Sequence, residues 1–173
     1  MVISQLELKP GSVVVESGTG SASLSHALIR TVAPSGHLHT FDFHEERLLK
    51  AKEEFRIHGI DSWVTPKHRD VLSSGFDLEN AADAVFLDIP APWDAIIHAK
   101  RALKKDRVTR ICSFSPCMEQ VRCWVRLIAS GCRDHIPLLS QIVNMSRSNN
   151  LPRLVQFKAF KYYATRFKQP VNR

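Results

Sequence analysis

The amino-acid sequence predicts an α/β fold: a doubly wound, mostly parallel sheet that ends in a C-terminal antiparallel hairpin. Short apolar and β-branched runs alternate with stretches whose apolar residues recur at helical spacing, which is typical of repeated strand–helix units. The first of these runs leads directly into two glycines and the start of a helix. At 173 residues, the chain is expected to form a single domain over residues 1–173.

The first half of the chain alternates predicted strands and helices. Residues 13–17 form the first strand, because a short run led by three valines suits a strand that is buried on both faces. A helix follows from Ser21 and ends before Pro34. The second strand covers residues 37–43. The helix after it covers residues 45–58, with acids in its first turn and a glycine just past its end.

The second half continues this alternation and then changes. A third strand begins at Trp63 and ends in Arg69-Asp70-Val71. The next elements are a strand at residues 82–88, a helix at 95–103, a strand at 108–114 and a helix from 116 to about 130. The last two apolar runs, residues 136–143 and 154–167, flank a polar turn and predict the antiparallel hairpin. Right-handed crossovers between the earlier strands predict an open sheet.

Composition narrows the classes of function. The net charge of +7 favours a polyanionic partner such as nucleic acid, without identifying one. No apolar run is long enough to span a bilayer, and the first residues lack the pattern of a secretory signal. The four cysteines show neither C-x-x-C spacing nor an accompanying pair of histidines. We therefore expect reduced thiols in an intracellular protein, and no metal site.

Acidic residues lie at or near the ends of four predicted strands, where ligands bind in open α/β sheets. They are Glu16, Asp42, Asp70 and Asp88. Gly18 and Gly20 either present backbone N–H groups and a helix N-terminus to a cofactor or form a simple tight turn. Glu16 either accepts hydrogen bonds from backbone N–H groups of this turn or holds a cofactor amine indirectly, and the two roles can coexist. A dinucleotide loop would need a third glycine where Ser23 stands.

Asp42 lies at the end of the second strand, where an acid binds the ribose hydroxyls of an adenosine cofactor. The alternative is that Asp42 caps the helix that follows. Arg47 lies one helical turn further on. It lines the ribose side of the pocket, pairs with Asp42, or is a solvated helix charge.

Asp70 and Asp88 each have two alternative interpretations as well. Asp70 and the backbone N–H of Val71 either recognise an adenine ring or belong to a capped loop. Asp88 precedes two prolines and Trp93, so a stiff segment holds a carboxylate and an aromatic ring over the crevice. This arrangement suits a flat base with an exocyclic amine. The alternative is a rigid turn capped by Asp88, with Trp93 in the core.

Several of these stretches together resemble the catalytic subunits of the eukaryotic tRNA (adenine-58-N1)-methyltransferase, a class I family that depends on S-adenosylmethionine. The resemblance runs from about residue 8 to about residue 120 and is looser to about residue 151. The matching stretches are Glu16-Ser17-Gly18-Thr19-Gly20, residues 36–40, Asp42-x-His44, residues 83–93 and Cys112-Ser113-Phe114-Ser115-Pro116-Cys117. The resemblance implies a Rossmann-like methyltransferase sheet.

The same resemblance implies an activity and its residues. A methyl group would pass from S-adenosylmethionine to N1 of adenine 58 in the T-loop of tRNA, with Asp88 as the catalytic residue that faces the adenine. The expected cofactor contacts are Gly18, Gly20, Ser21, Ala22, Ser23, Leu24, Ser25, Asp42, Arg47, Asp70, Val71 and Asp88. The family has glycine where Ala22 stands. The resemblance also implies a heterotetramer with a non-catalytic subunit and a nuclear location. Family members carry a small N-terminal β-domain, which we expect this chain to lack.

Two other classes of function compete with this interpretation. The first is a truncated or degenerate methyltransferase-like subunit that binds cofactor or a partner but is not active alone. Asp42 and Asp88 favour the enzyme over this scaffold, because a scaffold needs neither carboxylate. The second is an NAD-linked oxidoreductase, which Ser23 disfavours.

Overall fold

The computed structural model describes residues 2–116, 118–121 and 123, and the backbone of residues 161–167. The helices are α1 (Val2–Leu6), α2 (Ser23–Val32), α3 (Glu45–Ile57), α4 (Val71–Ser74) and α5 (Ile96–Ala102), with a 3₁₀ turn at Asp61–Trp63. The strands are β1 (Val13–Ser17), β2 (His37–Asp42), β3 (Val64–His68), β4 (Ala84–Leu87), β5 (Thr109–Ser115) and β6 (Lys161–Phe167). None of the helices described is long and apolar enough to cross a membrane.

The strands form one sheet in the order β3-β2-β1-β4-β5-β6. The first five strands are parallel, and β6 runs antiparallel to β5. The order reverses between β1 and β4, because the chain leaves β1 toward one edge and returns to its other side. Such a reversal opens a crevice at the carboxyl ends of the two strands. The predicted doubly wound sheet is therefore confirmed.

The two faces of the sheet carry separate apolar clusters. Val14 of β1 and Phe55 of α3 belong to the cluster on the side of α2 and α3. Val15 and Ala99 of α5 belong to the cluster on the other side. Successive residues of a strand point to opposite faces, so Val14 and Val15 of β1 belong to different clusters. Glu16 follows on the same face as Val14, beneath α2.

The third predicted strand needs a correction. It ends at His68 and not at Val71, and the short helix α4 was not predicted. The Asp70 carboxylate accepts a hydrogen bond from the Leu72 N–H at 3.0 Å, which starts a helix where the sequence pattern continued the strand. A helix of four residues has too few positions to show a helical period.

The C-terminal part of the chain is described only in places. Lys161–Phe167 of the last predicted run form β6, in register with β5. The predicted strand at residues 136–143 and residues 154–160 lie outside the described residues, so the hairpin stays a prediction. Residues 118–121 are helical, as predicted, and most of the rest of that predicted helix also lies outside.

Candidate active site

The crevice is built from the carboxyl ends of β1, β2 and β4. The Gly18 N–H donates to the Phe41 carbonyl of β2 at 2.8 Å, and the Asp88 N–H donates to the Ser17 carbonyl of β1 at 2.8 Å. Gly18 has a φ of +95°, and a Cβ at this position would lie 2.2 Å from the Asp88 carbonyl oxygen. Only glycine allows the loop after β1 to pass this close to the backbone after β4.

Asp42 ties the glycine loop to the end of β2. Its side chain is buried, with one oxygen accepting from the Gly20 N–H at 3.0 Å and the other from the His44 N–H at 2.8 Å. The alternative in which Asp42 caps the next helix is wrong, because His44 holds the N-cap position of α3. Each carboxylate oxygen has a second lone pair, so Asp42 remains able to accept from a ligand hydroxyl.

The predicted contact run at residues 21–25 divides into two kinds of side chain. Ser21 and Ser23 are exposed, and their hydroxyls lie 3.1 Å apart. Leu24 packs against the cluster beneath α2, and Ser25 is fully buried. Ala22 precedes α2 with a φ of +58°, a left-handed conformation that is uncommon for a residue with a Cβ. Ser21 and Ser23 are thus the side chains open to a ligand.

Glu16 is buried beneath α2 in a network of hydroxyl groups. Its Oε2 accepts from the Ser25 hydroxyl at 2.6 Å and from the Thr40 hydroxyl at 2.8 Å. The Thr19 hydroxyl lies 2.7 Å from that of Thr40. The alternative in which Glu16 accepts from backbone N–H groups of the turn is therefore wrong. Burial raises the pKa of the Glu16 carboxyl to about 7, and the negative charges of Asp88 and Asp42 add to this effect.

Thr19 and Thr40 were missed by the sequence reasoning. Glu16 and Thr40 are neighbours across the pairing of β1 with β2, so their side chains share a face of the sheet. Counting alternate residues along both strands would have placed them together, once the register of the two strands was known. The single valine-rich run of β1 carries no information on that register.

Asp88 stands at the exit of β4 with its side chain exposed. No hydrogen bond or ion pair engages its carboxylate within the part of the chain that the structure describes. The protein that surrounds part of the carboxylate raises its pKa above the ordinary value. Trp93 is half-buried against the cluster on the α5 side, which favours the core interpretation for this ring. Asp88 is thus free to accept a hydrogen bond from a ligand.

The structure gives less support for the three remaining predicted cofactor contacts. Arg47 is exposed in the first turn of α3, and among the described residues nothing pairs it with Asp42. Asp70 caps α4, as one of its two interpretations expected, and Val71 is buried. Whether any of these three contacts a cofactor is untested and stays a prediction.

Phe43 is the exposed neighbour of the crevice residue Asp42, and the sequence reasoning did not consider it. It follows Asp42 at the end of β2, and 65% of its surface is exposed. Its ring forms an edge-to-face pair with the His44 ring, with the ring centres 5.4 Å apart. A large aromatic residue directly after a strand-end acid was the signal that could have identified it.

Comparison with known proteins shows the family to which the sequence belongs. A family model described as "tRNA methyltransferase complex GCD14 subunit" matches residues 1–154. The tRNA (adenine(58)-N(1))-methyltransferase catalytic subunit TRM61 of Yarrowia lipolytica is 50% identical over 123 residues, 69% of this chain and 31% of the relative. The catalytic subunit trmt61a of Dictyostelium discoideum is 52% identical over 125 residues, 70% of this chain and 39% of the relative. The chain thus spans well under half the length of these curated relatives.

Solved structures share the fold. A SAM-dependent O-methyltransferase from Thermotoga maritima superposes with a TM-score of 0.72 at 25% identity, over 99% of this chain and 64% of that one. The tRNA (m1A58) methyltransferase TrmI from Aquifex aeolicus has a TM-score of 0.65 at 23% identity, over 74% of this chain and 49% of that one. The match to the family model covers most of the sequence, and the chain belongs to the GCD14 subunit family of the tRNA methyltransferase complex.

Proposed function

We propose that this chain carries the cofactor-binding and base-facing part of a tRNA (adenine-58-N1)-methyltransferase catalytic subunit. It would transfer a methyl group from S-adenosylmethionine to N1 of adenine 58 in the T-loop of tRNA. The observation that carries the proposal is the meeting of the glycine loop, Asp42 and Asp88 in one crevice. It is supported by an identity of 50–52% to curated catalytic subunits over 69–70% of the chain.

The residues of the crevice fit S-adenosylmethionine. Glu16, Asp42 and Asp88 supply acceptors and negative charge for a ligand with ribose hydroxyls and a net positive charge, and Oε1 of Glu16 is a buried acceptor without a partner among the described residues. Asp42 would hold the ribose, while Ser21 and Ser23 would contact the ligand beside the glycines. The exposed ring of Phe43 offers an apolar surface to the adenine.

The chemistry requires positioning more than proton transfer. Bound S-adenosylmethionine supplies an electrophilic methyl group. Adenine N1 has its own lone pair at neutral pH, so no strong base is needed to begin. Asp88 would accept a hydrogen bond from the exocyclic amine of the adenine, orienting the ring and stabilising the positive charge that develops on it. Since no protein group competes for its carboxylate among the described residues, Asp88 is available for this contact.

We further propose that the chain acts with a partner subunit on tRNA. The family description names a complex, and the net charge of +7 favours a polyanionic substrate. A heterotetramer with a non-catalytic subunit, located in the nucleus, is the arrangement that the sequence resemblance implies. A target base that lies within the tRNA fold would have to be extracted to reach the crevice.

Labelled methyl transfer to tRNA tests the role of Asp88. With the partner subunit supplied, Asp88→Ala should lower the transfer rate at least a hundredfold, because the contact acts on the developing charge. Cofactor binding measured by calorimetry should fall much less. Asp94→Ala is a matched control, since Asp94 is an exposed acid on the same segment and should transfer at the wild-type rate. Full activity of the Asp88 variant would remove this residue from the mechanism.

The left-handed conformation of Ala22 favours a second candidate, a non-catalytic methyltransferase-like subunit that binds the cofactor weakly. Its methyl group stands in the loop where the family resemblance implies a glycine. Under this alternative, the chain would bind its partner but show no methyl transfer with the partner present. Ala22→Gly would then raise cofactor affinity, which calorimetry measures directly.

A further inference from the structure

Glu16 is the most deeply buried acid of the crevice. Its relative exposure is 1%, and it lies between Thr40 of β2 and Phe86 of β4 in the sheet register. Both hydroxyl donors, Ser25 and Thr40, bind the same oxygen, Oε2. Oε1 is equally buried and has no partner among the described residues. A carboxylate in this setting is poorly compensated, because hydroxyls donate hydrogen bonds but carry no charge.

The charged groups around Glu16 further disfavour its ionised form. Asp42 at the end of β2 and Asp88 after β4 both act on Glu16 as negative charges. On α2, His26 is turned away, toward the Ala22 carbonyl at 2.8 Å and His58 at 2.9 Å. Within the described part of the chain, no ion pair reaches any of the three carboxylates. Among the described residues, the three acids of the crevice therefore have no ion-pair partner, and the most buried of them is the easiest to protonate.

We propose that Glu16 is a proton-linked positioning residue, which releases its proton when the cationic cofactor enters the crevice and thereby makes cofactor affinity rise with pH through neutrality. The inference rests on the proposed function, because it takes S-adenosylmethionine as the ligand. A positive charge placed among the three carboxylates favours the ionised form of each. Only a group that is partly protonated beforehand has a proton to release near pH 7, and the raised pKa of Glu16 meets that condition.

The hydroxyl network connects this charge to the glycine loop. Because the Thr40 hydroxyl donates to Glu16, the Thr19 hydroxyl is left to donate to Thr40. Thr19 lies between the two glycines of the loop, and Ser25 lies in the first turn of α2. The ionised Glu16 carboxylate accepts hydrogen bonds from the Ser25 and Thr40 hydroxyls more strongly than the neutral carboxyl does. Proton release would therefore tighten the loop at the same time as the ligand binds.

Calorimetry in buffers of different ionisation enthalpy tests the proposal. S-adenosylmethionine is titrated into the wild-type chain and into Glu16→Gln at pH 7, in phosphate and in Tris. The wild type should release a proton, seen as a binding heat that depends on the buffer, and the variant should release less by the Glu16 share. Gln retains a carbonyl oxygen for Ser25 and Thr40. Titration of the ligand's own amine is common to both proteins and cancels in the comparison.

The pH dependence gives a second readout. Between pH 6 and pH 8, wild-type affinity should rise about tenfold more than that of Glu16→Gln, as expected for one group with a pKa near 7 that ionises on binding. Asp88→Asn should reduce the proton release only in part, because it removes one of the negative charges that raise the pKa of Glu16, whereas Glu16→Gln removes the Glu16 share entirely. Equal release and equal pH dependence in wild type and Glu16→Gln would overturn the inference. No binding by either protein would instead overturn the proposed cofactor, so the two failures are distinguishable.

A measurement without a variant covers the case in which Glu16→Gln fails to fold. The Glu16 carboxyl carbon can be followed by NMR through a pH titration of the wild-type chain. Its midpoint should lie near neutrality in the free protein and at least one pH unit lower with S-adenosylmethionine bound. The same midpoint in both states would contradict the proposal.

Discussion

Glu16, Asp42 and Asp88 all lie at strand ends, yet the structure gives each a different environment. Asp42 is held by two backbone N–H groups, Asp88 is exposed without a partner among the described residues, and Glu16 is enclosed by hydroxyls. The sequence predicts that all three meet in the crevice. It does not predict these differences, because they depend on loop conformation and strand register.

Removing the Asp42 carboxylate should loosen the glycine loop. Asp42→Ala leaves the Gly20 and His44 N–H groups without their acceptor, and we expect a loss of about 2–4 kcal/mol in the free energy of unfolding. Asp42→Asn keeps one carbonyl acceptor and should lose about half as much. Urea denaturation measures both, and equal stability of Asp42→Ala and wild type would show that these bonds do not anchor the loop.

The raised pKa of Glu16 predicts a direction for stability against pH. The folded protein keeps this carboxyl protonated up to about pH 7, whereas the unfolded chain loses the proton near its ordinary value of 4.5. Stability from this group is therefore present at low pH and lost as pH rises, by on the order of 3 kcal/mol. Thermal unfolding at pH 5 and pH 8 should show the loss in wild type and not in Glu16→Gln.

The contribution of His39 to stability changes with pH in the direction opposite to that of Glu16, so it serves as an internal check. Burial lowers the pKa of its imidazole to about 4, so its contribution is lost as pH falls below about 6.5. Glu16→Gln leaves His39 in place, so the acid side of the stability curve should still show its effect. Parallel stability curves for the two proteins over the whole range would contradict the account of Glu16.

At the scale of elements, the loop between β1 and α2 depends on two glycines for different reasons. Both have positive φ, but only Gly18 faces the Asp88 backbone, where an added Cβ would lie 2.2 Å from the carbonyl oxygen. A Cβ on Gly20 would meet nothing closer than 4.0 Å. The first glycine thus fixes the distance between the loop and the exit of β4, and the second serves the turn alone.

This difference predicts unequal costs for the same substitution. Gly20→Ala should lower the free energy of unfolding by about 1 kcal/mol, the cost of a left-handed alanine. Gly18→Ala adds a backbone clash and should cost about 3 kcal/mol or more, with a displaced Asp88. Chemical denaturation of the two variants side by side gives the comparison. Equal losses would show that the loop does not rest on Asp88.

The strands and longer helices were largely predictable, whereas the short helix was not. The bounds of β1 agree with the prediction because a run of valines ends in a glycine turn. Helix α4 was missed because one capping acid, Asp70, outweighed a pattern that continued the strand. Trp93 was expected over the crevice or in the core, and only the packing of the α5 side decides between the two.

At the scale of the molecule, the strand order brings distant residues together. Asp42 and Asp88 flank the glycine loop because β2 and β4 pair with opposite sides of β1. Alternating strands and helices predict this order in general terms through the handedness of crossovers. The same arrangement leaves the crevice negative while the whole chain has a net charge of +7, so phosphates of a polyanion would be held outside the crevice.

Methyl transfer to tRNAs that differ at one base tests the central claim most directly. With labelled S-adenosylmethionine and the partner subunit present, we expect label on a tRNA with adenine 58 and none on the same tRNA with guanine at that position. Label on both tRNAs would contradict the proposed target base. No label on either, from a folded protein with its partner, would contradict the proposed activity.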